Sequence, residues 1–342
     1  MIKIIVDTLG GDLGPASVLE GSIRAINENS DIHVILVGPE DVIKEELKKY
    51  KYNEKQISII HSTEEITCHD KPTVAIKKKT NCSMVIAFDT LKANDDINAF
   101  VTLGSTGAVL TGAVLKAGRI KGVKRPAFCP ILPTIEGGIV SICDSGANVD
   151  CEPYYLQQFA LMGSLYLEKG YNIKNPRVAL LNVGVEDEKG DLLRKEAFQL
   201  IKSTEGINFV GNMESRDLLT GKYDLVVCDG FSGNVLIKST EGACLEVMKL
   251  IKKAFTANLK NKLGALLLKK DVYKIKDLMD YNNYGGGVML GVTKTIVKGH
   301  GSSKSTAVFH CINQAYNMEK NNLRQAIAEG IAKLTEEKEN QE

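Results

Sequence analysis

The chain has 342 residues, 44% of them hydrophobic, and 43 basic against 42 acidic side chains give a net charge of +1. A chain of this size and apolarity buries a core, and its charge balance excludes an obligate nucleic-acid coat and a disordered acidic polymer. Its apolar runs stop short of the ~18 residues a membrane span needs, and the first run ends at Asp7 without building a signal peptide, so the protein reads as cytoplasmic.

In chain order, residues 2–6 read as a strand that ends at Gly10 and Gly11, and 15–27 follow as a helix. Residues 32–37 are the next strand and 39–49 the next helix. Residues 99–103 lead into Gly104, Ser105, Thr106 and Gly107, then a helix of small residues to 117. Residues 128–132 and 139–143 are β-rich runs around a turn, which predicts a hairpin. Residues 178–183 lead into Gly184 and a charged helix at 192–202; residues 225–228 lead into Asp229, Gly230 and Gly233 and another helix. Strand, glycine turn and helix recurring in this way predict an α/β fold, a mainly parallel sheet covered by helices. No linker or repeat divides the chain. Residues 1–334 read as one domain, or as two lobes around one cleft, and 335–342 as a frayed tail.

One segment stands apart in charge. From Lys249 to Lys276 there are nine lysines and one acidic residue, Asp271. Overlapping it, Val247, Ile251, Phe255, Leu259, Leu263 and Leu267 recur at every fourth position, one drifting stripe on a helix. Two readings stand: an amphipathic helix buried on its apolar side, or a basic, greasy arm at about 245–280 that meets an acidic partner or a membrane surface. In the second, Lys262, Leu266, Leu267, Lys269 and Lys270 make the contact.

The eight cysteines form no CxxC pair and lie mostly in apolar stretches, so they read as reduced core residues. The histidines are not spaced with them as metal ligands, and no metal site is expected. The dinucleotide fingerprint, the P-loop, HExxH and GxSxG are all absent from the sequence. What remains is a set of glycine-rich turns at strand ends, where α/β sheets bind ligands. Glycine lets backbone N–H groups approach an anion, and the helix that follows adds positive potential.

These turns carry a resemblance. Gly118-Arg-Ile-Lys-Gly-Val-Lys-Arg-Pro-Ala127, Ser145-Gly-Ala-Asn-Val-Asp-Cys151, Gln158-Phe-Ala-Leu-Met-Gly-Ser164, Leu181-Asn-Val-Gly-Val-Glu-Asp-Glu-Lys-Gly190, Gly211-Asn-Met-Glu-Ser-Arg-Asp217, Asp229-Gly-Phe-Ser-Gly-Asn234, Tyr284-Gly-Gly and Gly299-His-Gly-Ser-Ser303 occur in this order. In them the chain resembles the PlsX-type acyl-carrier-protein:phosphate acyltransferases, from Met1 to about residue 325. It departs from the family at Asp7-Thr8-Leu9-Gly10-Gly11-Asp12, usually Asp-Ala-Met-Gly-Gly-Asp. It departs again at Gly104-Ser105-Thr106-Gly107, usually Gly-Asn-Thr-Gly, which removes an amide donor.

The resemblance implies a fold like that of isocitrate and isopropylmalate dehydrogenases and phosphotransacetylases. It implies transfer of a fatty acyl group from acyl carrier protein to inorganic phosphate, giving an acyl phosphate for phospholipid synthesis. A homodimer, peripheral membrane contact and no organic cofactor or nucleic acid are implied as well. Such chemistry needs phosphate held in place and donors where the thioester oxygen becomes negative. The candidate phosphate and substrate contacts are Gly10, Gly11, Asp12, Ser105, Thr106, Gly107, Asn148, Asn182, Gly184, Asp229, Asn234, Gly301, Ser302 and Ser303. Lys189 is the candidate cation, since it follows a strand-end glycine turn, and His300 the candidate proton donor to the leaving thiolate. Asp12 and Asp229 also read as plain helix caps, and His300 as a structural loop histidine. Two rivals stay open: a nicotinamide-dependent dehydrogenase on the same fold, and a non-catalytic tether acting through the basic arm.

Overall fold

A computed structural model of the chain describes residues 1–67, 69–278 and 283–339. Its strands are β1 (Ile2–Asp7), β2 (Ile32–Gly38), β3 (Ile57–His61), β4 (Ile97–Thr102), β5 (Ala127–Cys129), β6 (Ile131–Pro133), β7 (Ile139–Cys143), β8 (Val178–Asn182), β9 (Phe209–Glu214), β10 (Leu225–Val227), β11 (Gly287–Leu290) and β12 (Thr295–Lys298). Its helices are α1 (Pro15–Glu28), α2 (Glu40–Leu47), α3 (Pro72–Lys78), α4 (Ser83–Ala93), α5 (Thr106–Gly112), α6 (Pro153–Tyr171), α7 (Leu192–Lys202), α8 (Gly230–Thr256), α9 (Leu259–Leu267), α10 (Lys269–Leu278), α11 (Ser305–Lys320) and α12 (Leu323–Glu339).

Among the described residues the strands form two sheets. One has seven strands in the order β3-β2-β1-β4-β12-β11-β5, the other five in the order β6-β7-β10-β8-β9. Strands β3, β2, β1, β4 and β12 run parallel, as do β7, β10, β8 and β9. Strands β11, β5 and β6 join antiparallel. The mainly parallel α/β architecture is as the glycine turns imply, though split between two sheets.

Alternation along the strands explains the layering. In β1, Ile4 and Val6 join the main core with α1 and α11, while Ile5 points to the opposite face, where α4 and α5 pack. In β10, Leu225 and Val227 join the main core with α6, and Val226 faces the beginning of α8 at Leu236 and Ile237. Strands covered on both faces are apolar throughout, as parallel strands under helices must be.

The expected hairpin is divided. Residues 128–132 are not one strand: β5 pairs with β11 in the larger sheet, and β6 pairs with β7 in the smaller. The break is Pro130, which has no N–H to give to a ladder; its carbonyl accepts from Ile142 N at 3.3 Å and Ser141 Oγ at 3.1 Å. One residue thus steps the chain from one sheet to the other.

The basic segment protrudes. Leu236 and Ile237 of α8 are buried, but Leu245, Val247 and Leu250 are exposed, and Leu259 and Leu267 of α9 are 84% and 81% exposed. The stripe read as one helix is two: α8 ends at Thr256, and Asn258 caps the start of α9, its side chain accepting from Asn261 N at 2.9 Å. No described helix is long and apolar enough to cross a membrane. Residues 335–339, read as tail, are the last turn of α12, where Leu334 is buried and Thr335 donates to the Ile331 carbonyl at 2.8 Å. Residues 279–280 of the arm, 340–342 of the tail and Cys68 lie outside the described residues. The seven other cysteines are free, and five of them are buried.

Candidate active site

Three of the predicted turns meet because β1, β4 and β12 are neighbours and parallel. The buried Asp7 carboxylate ties the first two: it accepts from Leu9 N at 3.1 Å and from Thr102 Oγ1 at 2.8 Å, and Thr102 Oγ1 accepts in turn from Gly104 N at 3.0 Å. Burial raises the Asp7 pKa, and these hydrogen bonds work against the rise. The third turn joins through Gly299 N to the Thr102 carbonyl and Asp12 N to the Gly301 carbonyl, both 2.9 Å. Gly10, Gly11 and Asp12 therefore lie behind the turns at 104 and 301. A side chain at Gly10 would strike Asp7 and Gly104 N.

The smaller sheet brings a second set. The Asp144 carboxylate, just past β7, accepts from Phe128 N at 2.8 Å, Ala147 N at 3.1 Å, Asn148 N at 2.6 Å and Asn148 Nδ2 at 3.0 Å. Ser145 N donates back to the Phe128 carbonyl at 2.9 Å, so Asp144 and Phe128 lock the two sheets together. Burial lifts the Asp144 pKa to about 6, held there against these donors. Asp229 caps α8, accepting from Ser232 N at 2.8 Å, and its other oxygen is engaged by Arg194. At Gly233 only glycine fits, because a Cβ would lie 2.0 Å from the Asp144 carbonyl.

Between the sheets lies a cleft of about 350 Å3. The larger sheet contributes Thr106, Gly107 and Leu110 of α5, Phe128 of β5, Gly285, Gly286 and Gly287 at β11, and Lys298, Gly299 and His300 at the end of β12. The smaller contributes Ile131 and Leu132 of β6, Ser145 and Gly146, and Asn234, Ile237, Lys238 and Glu241 of α8, with Pro130 at the seam.

Of the sequence candidates, Thr106, Gly107, Asn234 and His300 line this cleft. Ser105, at the cap of α5, and Gly301, Ser302 and Ser303 flank it. Asn148 and Asp229 are engaged in holding the loops that shape it. Asn182, Gly184 and Lys189 lie elsewhere: Asn182 Nδ2 donates to the Lys189 carbonyl and Asn212 Oδ1, both at 3.0 Å, and so braces its own loop. The Lys189 side chain folds over Gly184, is exposed and does not line the cleft. Lys262, Leu266, Leu267, Lys269 and Lys270 are exposed on the arm.

The cleft's cation is instead Lys298. It is half-buried, its Nζ donates to the Gly299 carbonyl, and burial lowers its pKa to about 8. Its signal in the sequence was its place one residue before a glycine turn already singled out. Lys238, missed as well, stands four residues after Asn234 on the same helix face and pairs with Glu241 at 2.8 Å. His300 Nδ1 faces Ser302 Oγ at 2.9 Å and accepts from Ser302 N at 3.3 Å, which assigns the ring proton to Nε2. Burial, then Lys298 and Lys238, lower its pKa, so the ring is neutral near pH 7. Among the described residues no group of three His, Cys, Asp or Glu side chains is placed to hold a metal ion.

The fold is shared with solved structures. A phosphotransacetylase from Streptococcus pyogenes superposes with a TM-score of 0.58 at 16% identity, over 93% of this chain and 94% of that one. A branched-chain phosphotransacylase from Enterococcus faecalis gives 0.52 at 15%, over 93% and 98%. At these identities the likeness establishes the fold alone. Closer relatives are phosphate acyltransferases: one from Clostridioides difficile is 41% identical over 341 residues, 100% of this chain and 99% of that one. Another, from Thermoanaerobacterium thermosaccharolyticum, is 45% identical over 314 residues, 92% of each. The model of the family described as fatty acid synthesis protein matches residues 2–326, and with relatives this similar along their full length the chain belongs to that family, the phosphate acyltransferases.

Proposed function

We propose that the chain moves a fatty acyl group from the thioester of an acyl carrier protein to inorganic phosphate. The observation that carries this reading is Lys298, a half-buried cation in a cleft that it shares with glycines, hydroxyls, an apolar wall and the ion pair of Lys238 with Glu241. Its ammonium group, with the Thr106 hydroxyl and the Gly107 backbone N–H at the start of α5, suits a small anion. A phosphate oxygen attacks the thioester carbonyl carbon, the carbonyl oxygen becomes negative, and the C–S bond breaks. The proton lost by hydrogen phosphate ends on the departing sulfur, so no net proton is needed. Lys298, with a pKa near 8, is matched to carry it. A neutral His300 donates a hydrogen bond through Nε2 to the developing oxyanion, a role worth ~3 kcal/mol of barrier for such a donor. This replaces the role of acid that the sequence suggested.

Two further contacts belong to the same reading. The exposed leucines of α9, with Lys262, Lys269 and Lys270 exposed beside them, suit peripheral contact with an anionic membrane or an acidic carrier. A homodimer is carried over from the family resemblance. The test mixes purified protein, acyl-carrier-protein thioester and phosphate, and traps acyl phosphate with hydroxylamine. Thiol release that requires phosphate is the expected result; equal release without phosphate means hydrolysis and overturns the reading.

A further inference from the structure

The cleft changes character along its length. Helix α5 enters it polar and turns aliphatic, presenting Thr106 and then Leu110, whereas α8 presents the polar Asn234, Lys238 and Glu241 around Ile237. A spacing of four residues places Thr106 and Leu110 on one helix face, so the change runs along the α5 side of the cleft. Ile131 and the Phe128 ring extend the apolar end. The ring is fixed in place. A Cβ at Gly287 would lie 2.1 Å from its Cζ atom, so glycine there leaves the ring room to lie flat on the strand. The backbone of Phe128 is held by Asp144 Oδ1 at 2.8 Å and Ser145 N at 2.9 Å. Leu110 and Phe128 are only half-buried, although both pack against the core under the larger sheet. Their remaining apolar surface faces the cleft, and phosphate has nothing with which to cover it.

We infer that this apolar end is the subsite for the first carbons of the acyl chain, and that Leu110 and Phe128 set how strongly the enzyme favours long chains over short ones. The inference rests on the acyltransferase reading. The carbonyl carbon then lies toward Lys298 and His300, with its chain running away from them along α5 toward Phe128 and Ile131. Each methylene group buried there gains about fourfold in kcat/KM.

The experiment measures kcat/KM for acetyl and palmitoyl carrier thioesters with wild type, Leu110→Trp and Phe128→Leu, following thiol release. Wild type favours palmitoyl. Leu110→Trp, which fills the subsite, lowers the palmitoyl-to-acetyl ratio by about fifteenfold, as expected from losing two methylene contacts. Phe128→Leu, which removes the ring, lowers it by about fourfold. Acetyl turnover reports that each variant is folded. An unchanged ratio in both variants, a loss shared equally by the two donors, or a wild type indifferent to chain length overturns the subsite. No phosphate-dependent thiol release from any donor in wild type instead overturns the acyltransferase reading itself.

Discussion

A lysine that ends a strand is usually a solvated charge, and Lys298 follows Thr295, Ile296 and Val297 in just that position. Three turns close around it, and burial then lowers its pKa to about 8. Because the folded pKa is depressed, the cation is present below about pH 8 and is lost above it. The phosphate KM therefore rises as the pH passes 8, and bound phosphate, which favours the ammonium form, moves the same limb in kcat to higher pH. Lys298→Ala raises the phosphate KM by about 10- to 100-fold, the loss of one charge-assisted contact of ~1.5–3 kcal/mol. Lys298→Arg keeps its charge and flattens the alkaline limb in a pH series of initial rates, at reduced kcat because a guanidinium does not release the proton that Lys298 carries. A limb that persists unchanged in the arginine variant assigns it to another group. Lys298 was hard to read in the sequence because its place before a glycine turn is a local signal shared with other residues, whereas its burial comes from segments distant in the chain. Lys189 misled for the same reason: its glycine turn is real, but β8 lies in the smaller sheet, where Asn182 and Asn212 brace the loop on its own.

At the scale of elements, helix 192–202 and the strands of the βα units were legible, because apolar period and glycine turns agree there. The division at Pro130 was not: residues 128–132 have one continuous β pattern, and only the pairing partners assign them to different sheets. Periodicity also left open whether the 247–267 stripe is buried. The structure leaves it exposed, with Leu259, Leu263, Leu266 and Leu267 all at least 65% exposed among nearly unopposed lysines. Such a surface sits shallowly in an anionic interface and is attracted over a Debye length of ~8 Å at physiological salt. Leu266→Glu with Leu267→Glu abolishes sedimentation with anionic vesicles at low salt and leaves turnover of soluble thioester within about twofold, since exposed surface changes are nearly neutral to stability. Aggregation or loss of thermal stability in that variant would mean that the stripe is covered by protein.

Across the whole molecule the two sheets meet at the carboxyl ends of their strands, joined by Pro130 and by the paired bonds between Phe128 and Asp144–Ser145. A ligand in the cleft touches both sheets, and by mass action it stabilises the folded state by ~2.7 kcal/mol at 100 times its Kd. Phosphate at such excess raises the midpoint of thermal unfolding in wild type and not in Lys298→Ala, as read by calorimetry at constant ionic strength. An equal shift in both would mean that phosphate acts elsewhere or as a general salt. The α/β class was legible from repeated turns; the second sheet was not, since nothing local in a strand says which neighbours it will find.

The strand order also sets a timetable for biosynthesis. Every strand of the smaller sheet lies between residues 131 and 227, so that sheet is complete as soon as this stretch has left the ribosome. The larger sheet is not: β4, at its centre, waits for β12 at residues 295–298, and β5 waits for β11. Until those arrive, β4 shows an open, apolar edge to the cell, the kind of edge that recruits other chains. The last strand made both closes that edge and delivers Lys298, so the nascent protein acquires its cleft cation in the same step that ends its exposure to aggregation.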